Sequence, residues 1–169
     1  MADRFDMTAD FSDVNKLFDA CSDPDMKVHL ARSMAVAGGK IISREAKIRA
    51  PVYVPGVGRN GNWQGINKKS AAKSGALRDA IYIAYKDEDS DSNHIQYSVS
   101  WNSTKAPHGH LIEFGHWLVS HGKTKKKIKY VPAYPFLRPA YEASAARAVK
   151  AMIERGRERL PELLNEVKK

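Results

Sequence analysis

Ala133-Tyr134-Pro135-Phe136-Leu137-Arg138-Pro139-Ala140 is the stretch on which the fold turns. Two prolines four apart, with Phe-Leu-Arg between them, predict the start of a helix. Pro135 suits the first turn, where a missing N–H removes no bond, and Pro139 still lies close to that end. An Ala-rich amphipathic run follows from Ala140 to Met152, with Leu137, Tyr141, Ala145, Ala148 and Met152 on its inward stripe. Gly156 or Pro161 is expected to interrupt this helix, since a mid-helix proline costs about 3 kcal/mol or more. Leu160, Leu163, Leu164 and Val167 then read as a separate short helix packing on another subunit.

Upstream of this stretch, Trp117 to Val119 and Lys127 to Val131 predict two strands around a basic tip at residues 120–126. Before them, Pro107 to Phe114 predicts a short helix with Leu111, Ile112 and Phe114 facing inward and Gly115 ending it. Ile81 to Lys86 and His94 to Asn102 carry β-formers on either side of the polar run Asp87 to Asn93, which predicts a half-buried antiparallel hairpin. Toward the N-terminus, Asp23-Pro24 reads as cap and first position of a helix over 24–49, ended by Pro51. Its apolar stripe is Leu30, Met34, Ala37, Ile41 and Ile48. Gly38-Gly39 in its middle predicts either a kink or the close approach of another backbone, at about 1 kcal/mol each relative to alanine. Residues 12–21 show helical spacing at Val14, Leu17, Phe18 and Cys21. Residues 51–74 show no period and form a loop that contains Trp63 and Ile66.

Together these elements predict an α+β fold: an antiparallel sheet of about four strands flanked by a long N-terminal helix and a long C-terminal helix. One domain of 169 residues is expected. Residues 1–22 form an acidic helical extension, 24–155 the core and 156–169 a basic extension.

Leu111-Ile112-Glu113-Phe114-Gly115 followed by Pro135-Phe136-Leu137-Arg138-Pro139-Ala140 resembles the Hong Kong 97-type tail-component family of long-tailed DNA phages. Gly75-Ala76-Leu77-Arg78-Asp79-Ala80-Ile81 resembles a third element of that family, leading from a long loop into the sheet. The resemblance covers roughly residues 27–155; the 1–22 segment, the long loop with Trp63 and the basic 160–169 end depart from it. It implies a structural virion protein, a tail-completion or neck component needed for tail assembly and head–tail joining, with no enzymatic activity. It also implies other copies in a ring, commonly hexameric, and contact with tail tube, tail terminator or head–tail adaptor proteins. Assembly in a host cytoplasm follows. The motif positions in this chain are Leu77, Arg78, Glu113, Phe114, Gly115, Pro135, Phe136, Leu137, Arg138 and Pro139.

The net charge of +9 is unevenly spread. Residues 1–25 hold two basic and seven acidic side chains, net −5; residues 123–169 hold thirteen and five, net +8. An acidic head and a basic tail suit head-to-tail contact between copies. Trp63, Lys68, Lys69, Lys73, Lys123, Lys125, Lys126 and Lys127 are the candidate contacts for a partner protein or for DNA in a lumen. Lysine-rich tips bind nucleic acid through charge without sequence preference. A non-specific DNA-binding accessory protein is therefore the alternative reading.

Reactive chemistry is poorly served. His108, His110, His116 and His121, with Glu113 among them, lack the four-residue spacing that sets two metal ligands on one helical face. Ser120 beside His121 makes no triad by adjacency, and Asp87 to Asp91 lacks the central glycine and closing glutamate of a calcium loop. One cysteine, Cys21, leaves no disulfide within the chain. Neither a cofactor nor a membrane span is expected. Glu113 and Arg138, the charged members of two motif segments, are read either as partners of each other or as separate decorations of their own helix ends.

Overall fold

A computed structural model describes residues 23–52, 75–91, 94–120 and 125–167. The expected elements at 12–21 and over most of the 51–74 loop lie outside these residues. Among the described residues eight elements form: α1 (Pro24–Arg49), α2 (Ala76–Ala80), β1 (Ile81–Tyr85), β2 (Tyr97–Trp101), α3 (Gly109–Phe114), β3 (His116–Val119), β4 (Lys127–Val131) and α4 (Leu137–Val167). The class is α+β with a long helix toward each end, as the sequence predicts.

The four strands form two separate two-stranded sheets, β1 with β2 and β3 with β4, where a single sheet of about four was expected. After β4 the Tyr134 amide goes to the Ile112 carbonyl and the Phe136 amide to the Glu113 carboxylate, so the chain leaves that ladder for α4. Bonds from Lys86 N–H to Gln96 C=O and from Asn102 N–H to Ala80 C=O, each 2.9 Å, bracket β1 and β2 as an antiparallel pair. The polar turn between them is closed by its own side chains: Asp91 Oδ1 accepts from His94 N–H, and Ser90 Oγ from Gln96 N–H. Such self-bonding is why Asp and Ser concentrate in turns.

The chain divides into two compact units. One comprises residues 23–42, 83–98 and 143–167 of the described chain. Here α1 starts on Asp23, whose Oδ1 caps the Asp25 N–H at 3.0 Å. Met26, Leu30 and Met34 bury against Leu163, with Met152, Ile153 and Leu160 packed around them. The helices run antiparallel: Ser33 pairs with Arg155, and Gly38 further along α1 meets Met152 earlier along α4. Gly38 and Gly39 make room for side chains of neighbouring elements, where a kink or the close approach of another backbone was expected. A Cβ on Gly38 would lie 2.7 Å from Met152 Cγ, and one on Gly39 3.3 Å from Ile83 Cγ2.

α4 continues through both Gly156 and Pro161 to Val167, against the expected interruption. Gly156 is buried, and Leu160 and Leu163 on either side of Pro161 join the same apolar cluster. Fully burying a leucine is worth about 1.5–3 kcal/mol, so buried Leu163, with a part of that from half-buried Leu160, offsets much of the cost of one proline inside the helix. Residues 160–167 are thus the end of α4 and not a separate helix.

The second unit comprises 43–52, 75–82 and 99–142 of the described residues. Its core joins Ala46 and Ala50 of α1 with Leu77, Ala80, Ile81, Ala106, Phe136 and Ala140. Along α1 the buried row steps by four, from Met26, Leu30 and Met34 through Gly38 to Ala46 and Ala50. Such a row drifts around the helix, and Ile48, expected on the apolar stripe, lies off it in solvent.

Candidate functional site

Three stretches singled out in the sequence come together within the second unit. Leu77 of α2 and Phe136 share one buried cluster, and Ile112 of α3 packs against it. Phe136 is wholly enclosed, with the Trp101 ring centroid 6.0 Å from its own. Trp101 in turn lies against Gly109, leaving no room for a Cβ there.

Glu113 is the polar member of this arrangement. Helical spacing assigned Phe114 to the inward face, yet Phe114 is 70% exposed and Glu113 only 7%. Its Oε2 accepts the backbone N–H of Phe136 at 2.8 Å and that of Leu137 at 3.2 Å. Those amides belong to the first turn of α4, which has four N–H donors without helical partners. Glu113 takes two of them, and Pro139 removes a third by having none. The carboxylate also sits at the positive end of the α4 dipole. Pro135 precedes the helix and lies exposed, while Pro139 is inside its first turn and half-buried. The link observed between the two motif segments therefore runs from Glu113 to the α4 backbone.

Further bonds hold the same segments. Tyr134 N–H donates to Ile112 C=O at 2.7 Å, and Tyr130 Oη–H to Phe114 C=O at 3.3 Å. Gly115 ends α3 with φ 72° and ψ 170°, positive but extended rather than left-handed helical. A Cβ here would fall 2.7 Å from Ala133 N and 2.8 Å from Val131 O. Arg78 is exposed beside Asp79 at 3.2 Å, and Arg138 is exposed.

β3 and β4 project a different surface. His116 opposes Val131, Trp117 opposes Tyr130, Leu118 opposes Lys129 and Val119 opposes Lys127, with a bulge between Leu118 and Val119. The Trp117 and Tyr130 rings meet edge to face at 5.4 Å, and Lys127 Nζ lies 5.2 Å above the Trp117 ring. Lys125, Lys126 and Lys127 are all exposed on this hairpin. Trp63, Lys68, Lys69, Lys73 and Lys123 lie outside the described residues.

In the first unit an open cleft of about 490 Å³ is lined by Arg32, Lys40, Arg155 and Tyr97, among others. Arg32 stacks over Tyr85 at 4.7 Å and donates to its hydroxyl, while Arg155 donates to Ser33 Oγ and pairs with Glu158. The Arg32–Tyr85 and Arg155–Ser33 contacts tie elements together, while Arg155–Glu158 lies within α4. Among the described residues no three His, Cys, Asp or Glu side chains converge as metal ligands; His116 Nδ1 lies 3.3 Å from the Leu111 carbonyl. No helix among the described residues is long and apolar enough to cross a membrane.

The sequence identified the motif segments and the lysines but not the exposed apolar side chains of the hairpin. Their alternation is that of any half-buried strand, so only their exposure in the structure distinguishes them. Compared with known protein families, curated proteins and solved structures, the chain matches none.

Proposed function

We propose that this chain is a structural virion protein of a long-tailed DNA phage: a tail-completion or neck subunit, present in several copies and without catalytic activity. The reading rests on one observation. The segments that resemble the Hong Kong 97-type tail components are bonded to each other, Glu113 Oε2 holding the Phe136 and Leu137 amides. A buried carboxylate spent on two backbone donors is a structural fastening. A unit presenting an exposed hairpin suits a subunit that works by the shape of its faces. Its partners are other copies in a ring, with the tail tube, a tail terminator or a head–tail adaptor along the axis.

Disrupting the gene in its phage should give particles with unjoined heads and tails in electron micrographs, and supplying the chain in trans should restore infectivity. Complete, infectious particles without the chain would end this reading.

The lysines of the hairpin beside Trp117 and Tyr130 favour a second reading, a non-specific DNA-binding accessory protein. It predicts retardation of duplex DNA by the purified chain at low salt, lost steeply as salt rises.

A further inference from the structure

We infer that the β3–β4 hairpin is the docking surface for the acidic segment 1–22 of a second copy of this chain. Trp117, Leu118, Val119, Ile128 and Tyr130 are each between 45% and 68% exposed. Large apolar side chains gathered on one short hairpin mark an interaction surface. Lys125, Lys126, Lys127 and Lys129 run along the same hairpin, so the occupant must be both apolar and acidic.

Nucleic acid fits less well. Base stacking needs open aromatic faces, and here Lys127 lies over Trp117 while Tyr130 meets the same indole edge to face. Leu118, Val119 and Ile128 offer a phosphate backbone nothing. An acidic amphipathic peptide satisfies both requirements, and the chain carries one. Residues 1–22 hold five aspartates against one arginine and one lysine, with Phe5, Phe11, Val14, Leu17 and Phe18 among them. The other acidic run, Asp87 to Asp91, has no apolar residue to offer. Head and hairpin differ in surface, so the contact is heterologous and extends to rings. Docking between copies rests on the multi-copy reading above and gives it a specific contact.

A charge swap tests it in the full-length chain by sedimentation. One variant carries Asp3, Asp6, Asp10, Asp13 and Asp19→Lys; the other carries Lys125, Lys126, Lys127 and Lys129→Glu. Unaltered protein should self-associate, with apparent affinity falling about tenfold or more on raising salt to about 0.5 M. Each variant alone should be monomeric with unchanged thermal melting, and their equimolar mixture should associate again. Ile128→Ser should weaken association of the unaltered chain about tenfold with its salt dependence kept. The inference is overturned if the unaltered chain stays monomeric, if the lysine variant associates normally, or if that variant loses only DNA retention. Should particles require the chain while both reversals leave association intact, this contact is wrong and the virion role stands. If particles form without the chain but the swapped pair associates, the reverse holds.

Discussion

The Glu113 carboxylate accepts the Phe136 amide at 2.8 Å across 23 residues of chain, from a position that is 7% exposed. One side chain thereby ends the search of α4 for donors to satisfy and fixes α3 against its first turn. Removing it leaves one buried and one half-buried amide without their acceptor. Glu113→Ala is expected to destabilise by about 2–4 kcal/mol, combining a lost cap with a lost charged hydrogen bond. Glu113→Gln, which keeps an acceptor oxygen, is expected to lose about half of that. Urea unfolding of the two variants checks the order, and equal losses would mean that the carboxylate charge contributes nothing.

Neighbouring motif positions have opposite fates, and their substitutions should separate accordingly. Phe136 is fully enclosed among Leu77, Ile81 and Ala140, so Phe136→Ala is expected to cost about 3–5 kcal/mol through lost burial and a cavity. Phe114 stands in solvent, and Phe114→Ala should stay within about 0.5 kcal/mol. A Phe114 variant as unstable as the Phe136 variant would contradict the burial of this segment.

At Gly115 the constraint is the backbone itself. Its φ of 72° with ψ 170° belongs to a region essentially reserved for glycine, and a Cβ would press on Ala133 N and Val131 O. Neither contact is with a side chain able to turn away. Gly115→Ala is expected to lose about 3 kcal/mol or more, seen as a lower melting temperature and release of the Tyr130 to Phe114 bond. An unchanged melting temperature would show that α3 ends differently.

Glu162 provides a pH-dependent term. The hydrogen bond from Arg159 at 2.7 Å holds its carboxyl below the ordinary glutamate value, opposed by desolvation and aided by the charges of Arg159 and Arg155. A folded-state pKa below the unfolded one contributes stability above the unfolded value and loses it as pH falls through the folded one. The carboxylate is exposed, so the effect on stability is slight. A carboxyl titration by NMR should show the Glu162 midpoint rising in Arg159→Ala; an unmoved midpoint would mean that the pair does not persist in solution.

Much of this architecture was legible because its signals are local. Asp23-Pro24 and Pro51 mark the limits of α1 to the residue, and the self-bonding Ser90 and Asp91 mark the first hairpin. What escaped the sequence depends on partners far along the chain. Periodicity sends Phe114 inward because it is apolar, whereas the structure buries Glu113, whose acceptors are needed at residues 136 and 137. Ile48 fits an averaged helical stripe but misses a row that steps by four. The β3–β4 alternation reads as part of a sheet, and nothing in it reveals that the pair stands alone. The candidate contacts at Trp63 and in the 68–73 lysines fall outside the described residues, so the hairpin lysines alone acquire surroundings.

Pro161 is the sharpest instance of a local rule overridden, and it yields the last prediction. α4 passes through it without a break, with Leu163 buried among Met26, Leu30 and Met34 and Leu160 half-buried against them. The proline still withholds one backbone donor and crowds the preceding turn, a standing cost of about 3 kcal/mol. If the helix is continuous here, Pro161→Ala restores the donor with no change in the packed face. The variant should gain about 1–3 kcal/mol in urea unfolding, with amide exchange slowed in the turn around residue 161. A chain that instead breaks at Leu160 in solution would use Pro161 as the first residue of a new helix, where proline is favourable. Loss of stability in the alanine variant would therefore restore the interrupted helix that the sequence predicts.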